Sequence, residues 1–305
     1  MRVIGIIVCL LFFHYSSLSQ FIKKVNITDA EQKPVPFATI EIWKKNKAFF
    51  PDENGLIDLS VFKLNETDTL LFSAIGYEDF RECYARLDSN VVFQRQIVDL
   101  PEAIIYNGEW IKENWGTKEK PRPIFNSFFC SYWLAGPGCQ IGKVVKRKPG
   151  VKNAYLYKIS FFTAFAENTR TQVRLRIYAI DKNELPGKDL LLGSKIEKLD
   201  KGNGWLSFDL SEDPVRFIND SIIIAAEYFE TDAKNYSTFK YTYKDKNGHA
   251  SKETGVRYGG SFSSNREGEI EDILEKAPGL GWLKIGRFNE LKCKNLVVQV
   301  WVKYY

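Results

Sequence analysis

Residues 51–59 read PDENGLIDL, and the meaning of this short run decides how the first third of the chain folds. Asp52, Glu53, Asn54 and Gly55 crowd together as ligands do in a calcium loop, yet the same residues also make a turn. A loop of the EF-hand kind needs ligands five, three and one residues before its glycine and a glutamate six after it. Those positions are Phe50, Asp52, Asn54 and Val61, and neither phenylalanine nor valine can ligate. Asn54-Gly55 instead suits a hairpin, because both residues tolerate positive φ, with Asp52 capping the turn through backbone N–H groups. The stretch is expected to join two strands and to hold no metal.

The flanking sequence has the same β character. Ala38, Ile40 and Ile42 alternate with Phe37, Thr39, Glu41 and Trp43, the period of a strand with one apolar face. Ahead of them, Lys33-Pro34-Val35-Pro36 is an extended lead-in, since proline blocks helix and pushes its predecessor towards β. Thr69 to Ile75 (TLLFSAI) is almost wholly apolar, as in a strand covered on both faces. Val91-Val92-Phe93 and Ile97-Val98 continue the pattern. Short strands at this spacing point to a β-sandwich.

Four blocks here, VNITDAEQKPVPFATIEI (25–42), PDENGLIDL, DTLLFSAIGYEDF (68–80) and LPEAII (100–105), together resemble the carboxypeptidase-regulatory-like domain family. The matching positions include Val25, Asp29, Pro34, Pro36, Ala38, Ile40, Asp52, Asn54, Gly55, Asp68, Ser73, Gly76, Tyr77, Leu100 and Glu102. Pro51, Ile57 and Ala103-Ile104-Ile105 depart from the family pattern without disturbing its alternation, and Val25 and Asp29 stand further apart than the pattern has them. The resemblance implies a prealbumin-like, seven-stranded sandwich over residues 20–105 that accompanies exported enzymes and transporters and is not itself catalytic. It does not imply a zinc peptidase, whose metal site would need two histidines.

The whole chain has 305 residues, enough for about two domains. Its net charge of +5 is mild, so a nucleic-acid partner is not expected. Arg2, the apolar run Val3 to Phe13 and Ser17-Leu18-Ser19 form a signal-peptide pattern over residues 1–19, with cleavage between Ser19 and Gln20. That run falls short of the ~20 residues that span a bilayer, and no later segment reaches membrane length. The mature protein is therefore expected in the periplasm, at the outer membrane or outside the cell. An oxidising compartment admits disulfides, and Cys130 and Cys139, around a Gly-Pro-Gly turn, are the closest pair in sequence. Buried thiols are the other reading.

Residues 106–126, polar and proline-bearing, are expected as a linker, or as the lead-in, to a second, larger unit over 127–305. There Val173, Leu175 and Ile177 alternate with Arg174, Arg176 and Tyr178, while Leu296, Val298, Val300, Val302 and Tyr304 share one face. Ser221 to Glu230 reads as a strand apolar on both sides, and Phe239, Tyr241 and Tyr243 lead into the turn pair Asn247-Gly248. Glu267 to Lys276 reads as one short helix, from Ile270, Ile273 and Leu274 at i, i+3, i+4, ended by Ala277-Pro278-Gly279. The succession VRLRIY, Asp181, PGKDLL, Gly204-Trp205 and Asp209-Leu210-Ser211 resembles jelly-roll modules of exported bacterial proteins. The resemblance implies a jelly-roll-like sandwich and no particular chemistry.

His249 is the single histidine outside the leader, so histidine triads and His-rich metal sites are not expected, and no cofactor is called for. Glycoside hydrolysis needs only two carboxylates, which leaves a carboxylate-based glycan hydrolase as the alternative. Glu227, within an apolar strand, is the acid most open to a perturbed pKa, by catalysis or by pairing with a cation. Lys143, Lys146, Arg147, Lys148 and Lys152 surround Pro149-Gly150 and could hold an anionic sugar or simply be solvated. Trp205, Trp282 and Trp301 could stack on sugar rings or pack half-buried. The expectation is an exported, non-catalytic envelope protein whose partner is a glycan or another envelope protein. Lys146, Arg147, Lys148, Trp205 and Trp282 are its candidate ligand-binding residues.

Overall fold

The computed structural model describes residues 24–96, 108–117, 137–166, 172–199, 202–229, 236–244, 250–258, 261–262, 264–265, 273–284 and 295–305. The expected leader, with Ser19 and Gln20, lies outside them, as do Ile97-Val98, the LPEAII block, Cys130 (and so its pairing with Cys139), Asn247-Gly248, His249 and residues 267–272 of the expected helix. The fold is all-β and built as sandwiches.

The first sandwich faces two sheets. One carries β1 (Lys24–Asp29), flanked by β4 (Leu56–Asp58) and β7 (Asn90–Phe93), with β7 parallel to β1. The other runs β3 (Ala48–Phe49), β2 (Thr39–Ile42), β5 (Thr69–Ser73), β6 (Phe80–Cys83). Between them Val25, Ile27, Ile40, Leu70, Phe72 and Phe93 are fully buried. Each such side chain contributes about 1.5–3 kcal/mol by leaving water. In β5 only the Leu70–Phe72 face is buried; Leu71 opposite is half-exposed, so this strand is not enclosed on both sides as its apolar run suggests.

PDENGLIDL is a turn, with Asp52 as its cap. The Asp52 carboxylate accepts the N–H groups of Asn54 at 2.9 Å and Leu56 at 2.8 Å. It does not close a hairpin, however. The preceding β3 pairs with β2 and the following β4 with β1, so the turn carries the chain from one sheet to the other. Tight-turn chemistry specifies a local reversal and leaves the partner of each strand to tertiary packing. Gly55 is required here, with φ at +74° and any added Cβ 2.4 Å from the Ile27 carbonyl oxygen.

The second sandwich also has two sheets. In the first, β10 (Ala154–Ala166) lies between β14 (Gly202–Asp209) and β24 (Val298–Tyr304), with β8 (Ile111–Asn114) beyond β24. The short strands β15 (Val215–Arg216) and β19 (Ser261–Phe262) also pair with β10. The facing sheet runs β12 (Pro186–Asp189), β11 (Gln172–Ile180), β16 (Ser221–Phe229), β9 (Gln140–Lys146), β21 (Ile273–Ala277), β22 (Gly281–Lys284), with β13 (Lys195–Lys198) also on β11. Val173, Leu175, Ile177, Val298, Val300 and Val302 meet in the core, as their alternation requires. β17 (Tyr236–Lys244) and β18 (Ala250–Tyr258) form an antiparallel ladder of their own, and β20 (Ser264–Asn265) pairs with β23 (Asn295–Leu296).

Two expectations are corrected. Within the polar stretch read as a linker, β8 is an edge strand of the second sandwich, and Trp115 just after it packs on the core. An edge strand has one ladder partner and a solvated side, so it tolerates polar sequence. Residues 273–276, read as the end of a helix, lie in β21. Ile273 enters the core and Leu274 the opposite, equally buried face, so adjacent apolar residues satisfied a doubly covered strand as well as a helical stripe.

Replacing Gly55 by alanine should destabilise the first sandwich by about 1–3 kcal/mol, the cost of a strained backbone, plus displacement of Ile27. Urea unfolding measures it, and an unchanged midpoint would contradict the turn geometry.

Candidate functional site

The polar side of β2 and the polar side of β11 face each other, and a buried charged joint forms between the two sandwiches. Arg174 and Glu227 sit opposite each other in the β11–β16 ladder, both 0% exposed. The Arg174 Nε–H donates to Glu227 Oε2 at 2.9 Å, and Arg176 Nη1 donates to the same oxygen at 3.1 Å. Thr39, brought over by β2, donates to Glu227 Oε1 at 3.3 Å and accepts from Arg174 Nη2. The remaining guanidinium nitrogen, Nη1, donates to the Phe37 carbonyl. Phe37 holds φ at +63°, unusual for a bulky residue, and its ring meets Phe229 edge-on at 5.3 Å. Arg174 also lies over the Phe229 ring, 5.2 Å from its centroid.

Further contacts extend the joint along both sheets. Arg176 donates to Asp189 Oδ2 at 2.6 Å, and Asp189 Oδ1 accepts the Leu191 N–H at 2.9 Å. Lys276 on β21 pairs with Glu41 on β2. The other Glu41 oxygen accepts the Gly279 N–H at 2.8 Å, while the Gly279 carbonyl accepts from Lys44 N–H at 2.9 Å. The β21–β22 turn thus plugs into the loop after β2. Gly279 can do this because it lacks a Cβ: one built there would lie 2.0 Å from the Ile42 oxygen.

Burial pushes the Glu227 carboxyl up, but the charges of Arg174 and Arg176 outweigh it and hold the group below the usual carboxylate range. It is therefore an ionised anchor, unsuited to donating a proton. Glu275 on β21 behaves oppositely: burial alone lifts it to about 7. No neighbouring carboxylate among the described residues contributes to that shift, as the second acid of a hydrolytic pair would. Among the described residues no group of three or more histidine, cysteine or acidic side chains is placed to hold a metal ion.

The sequence candidates are dispersed. Arg147 pairs with Asp220 and donates to the Lys152 carbonyl, and Lys148 pairs with Glu113 beside β8. Lys146 lies at the end of β9, close enough to Glu184 to lower its pKa after the larger effect of Lys284. Trp282 packs edge-on against Tyr178 at 5.6 Å on the outer side of the β11–β16 sheet. Trp205 lies on the other sheet, edge-on to Phe162 at 5.2 Å. The structure does not gather these five residues into one site. Thr39, Glu41, Lys276 and Gly279 were not singled out by sequence, although Thr39 and Glu41 alternate with the core residues of β2.

No family model matches the chain, and no curated protein does. Among solved structures, the cysteine protease and lectin-like domains of a surface layer associated protein of Clostridium difficile match with a TM-score of 0.37 and 9% identity over 89% of this chain and 59% of that one. The structure of infectious bursal disease virus, Gx strain, matches with a TM-score of 0.20 and 8% identity over 88% of this chain and 57% of that one. The chain thus spans under two thirds of each neighbour, and these likenesses carry no inference about it.

Glu227→Ala should cost about 3–5 kcal/mol, because it strands buried Arg174 without a counter-charge. The wild-type contribution of Glu227 is present above the carboxyl's unfolded pKa and lost as pH falls through its lower folded value, which unfolding midpoints across an acid series will follow. Glu275→Gln should act the other way. The unfolded chain ionises Glu275 from its ordinary value of 4.5 while the folded protein holds the proton up to about 7, so stability falls as pH rises across that window and the variant should gain up to about 3 kcal/mol at pH 8 and little at pH 5.

Proposed function

We propose that this chain is an exported, non-catalytic cell-envelope protein whose sandwiches form one rigid binding or assembly module. The observation that carries the reading is the state of Glu227. It is ionised, buried and shared between Arg174 and Arg176 beneath Thr39. A hydrolase built on this face would need two carboxylates about 5–9 Å apart with room for sugar between them. Here three acids of the joint, Glu41, Asp189 and Glu227, are committed to Lys276, Arg176 and Arg174, and Asp79, which feels the same charges, is pushed up by burial. The signal-peptide pattern and the resemblance of residues 20–105 to an accessory domain of exported proteins support the location and the role. Partners of the matching kind are an envelope glycan or another envelope protein.

The test is to incubate the purified protein with a panel of envelope and plant polysaccharides and to assay new reducing ends, beside fractionation of the producing cells. Retention or retardation without turnover is the expected result. Turnover that Glu275→Gln or Glu227→Gln abolishes, with folding intact, would replace this reading with the carboxylate hydrolase.

A further inference from the structure

The two outer faces of the second sandwich are unlike. The outer face of the β11–β16 sheet carries the charged joint. The outer face of the β14–β10–β24 sheet is a strip of aromatic rings and polar groups. Its orientation follows from alternation: Ile159, Phe161, Leu206, Phe208, Val298, Val300 and Val302 enter the core, so their neighbours point outward. Across the three strands, Ser207, Ser160 and Gln299 form one row, with Trp205 and Phe162 in the row beside it. Asp209, Lys158 and Trp301 form the row on the other side.

The rings of Trp205, Phe162 and Trp301 are half-exposed, whereas Ser160 between them is 1% exposed and forms a floor. The Ser160 and Ser207 hydroxyls are 2.8 Å apart and bonded to each other, so the pair retains donor and acceptor capacity. The indole N–H of Trp301 is turned inward and buried, with no acceptor among the described residues, so Trp301 offers a ligand its ring and not its N–H. Beyond Trp301 the strip becomes basic and stays aromatic. Lys303 lies over the Trp110 ring, 5.2 Å from its centroid, and Trp110 meets Tyr155 edge-on at 5.7 Å. Lys112, Lys158, Arg216 and Lys303 face Asp209 alone among the acids of these outward rows.

We infer that this face binds an acidic polysaccharide. Aromatic planes take the C–H faces of sugar rings, the serine pair and Gln299 take hydroxyls, and the lysines and Arg216 take carboxylate, sulfate or phosphate groups. Trp205 and Trp301 are two strands and four residues apart, about 10 Å across and about 14 Å along the sheet. That span fits an oligosaccharide rather than one sugar. A single-stranded nucleic acid would also use rings and lysines, but the hydroxyl and amide row between the rings suits a polyol better than base planes. The inference rests on the binding reading above and gives it a surface and a ligand class.

Affinity electrophoresis of the full chain in gels holding polygalacturonate, a neutral dextran or no glycan tests it, with a single-stranded oligonucleotide as competitor. Polygalacturonate should retard the protein and dextran much less, and added salt should weaken the retardation. Trp205→Ala and Trp301→Ala should each lower affinity about tenfold, the size of one lost stacking contact. Trp205→Phe should retain most of it, and Lys158→Ala should reduce both affinity and salt sensitivity. Unfolding midpoints of every variant identify any loss caused by misfolding, in which case the Phe and Lys variants decide. Retardation of both tryptophan variants equal to that of the wild type, stronger binding of dextran, or displacement by the oligonucleotide would each overturn the inference while leaving a binding module in place. Retention of protein partners from envelope extracts, with no glycan bound, would overturn the glycan face alone; turnover of the gel polysaccharide would overturn the broader reading.

Discussion

A carboxylate held between two guanidinium groups, far from water, is the constraint on which the joint depends. Glu227, Arg174 and Arg176 could not remain charged at that depth unless every lone pair and N–H nearby had a partner. Thr39 and the Phe37 carbonyl supply what the second sandwich lacks, so the network is complete only when the first sandwich is seated. Two apolar faces could slide past one another at little cost. Directed hydrogen bonds to a buried ion allow one arrangement, and Gly279 against Ile42 fixes it at a second point.

Much of this was legible in the sequence, and the limits are instructive. The alternation Val173/Arg174/Leu175/Arg176/Ile177 placed each side chain on its correct face, because a period of two leaves no choice once one face is core. Pairing with a cation was also one of the two readings that the position of Glu227 offered. That Thr39 and Glu41 would be 1% and 2% exposed was not. A polar face of a strand looks alike whether it meets water or another polar sheet, since the pattern records polarity and not distance. The same ambiguity hid β8 inside an apparent linker, whereas β21 reads as a helix because Ile273 and Leu274, buried on opposite faces, fit a helical stripe as well as a doubly covered strand. Strand partnership across the Asp52 turn failed for a related reason: local chemistry reverses the chain without naming the sheet it enters.

The second sandwich thereby divides its labour between its two outer surfaces. One is closed by charge and by the first sandwich. The other keeps its tryptophans half-exposed over a serine floor. Tryptophan is a costly residue to leave in water, and among the described residues no hydrogen bond or ion pair ties the first sandwich to Trp205, Trp301 or Trp110.

The strand pairings also set how each unit would bear tension. In the first sandwich β1 and β7 are parallel neighbours, so a pull at Lys24 and Phe93 loads their bonds in shear, all together. In the second, β8 and β24 are antiparallel, with Ile111 beside Tyr304. A pull at those two residues strains one rung at a time, like a zipper. Stretched along its chain, the molecule would let go at the β8 seam and keep its first sandwich whole.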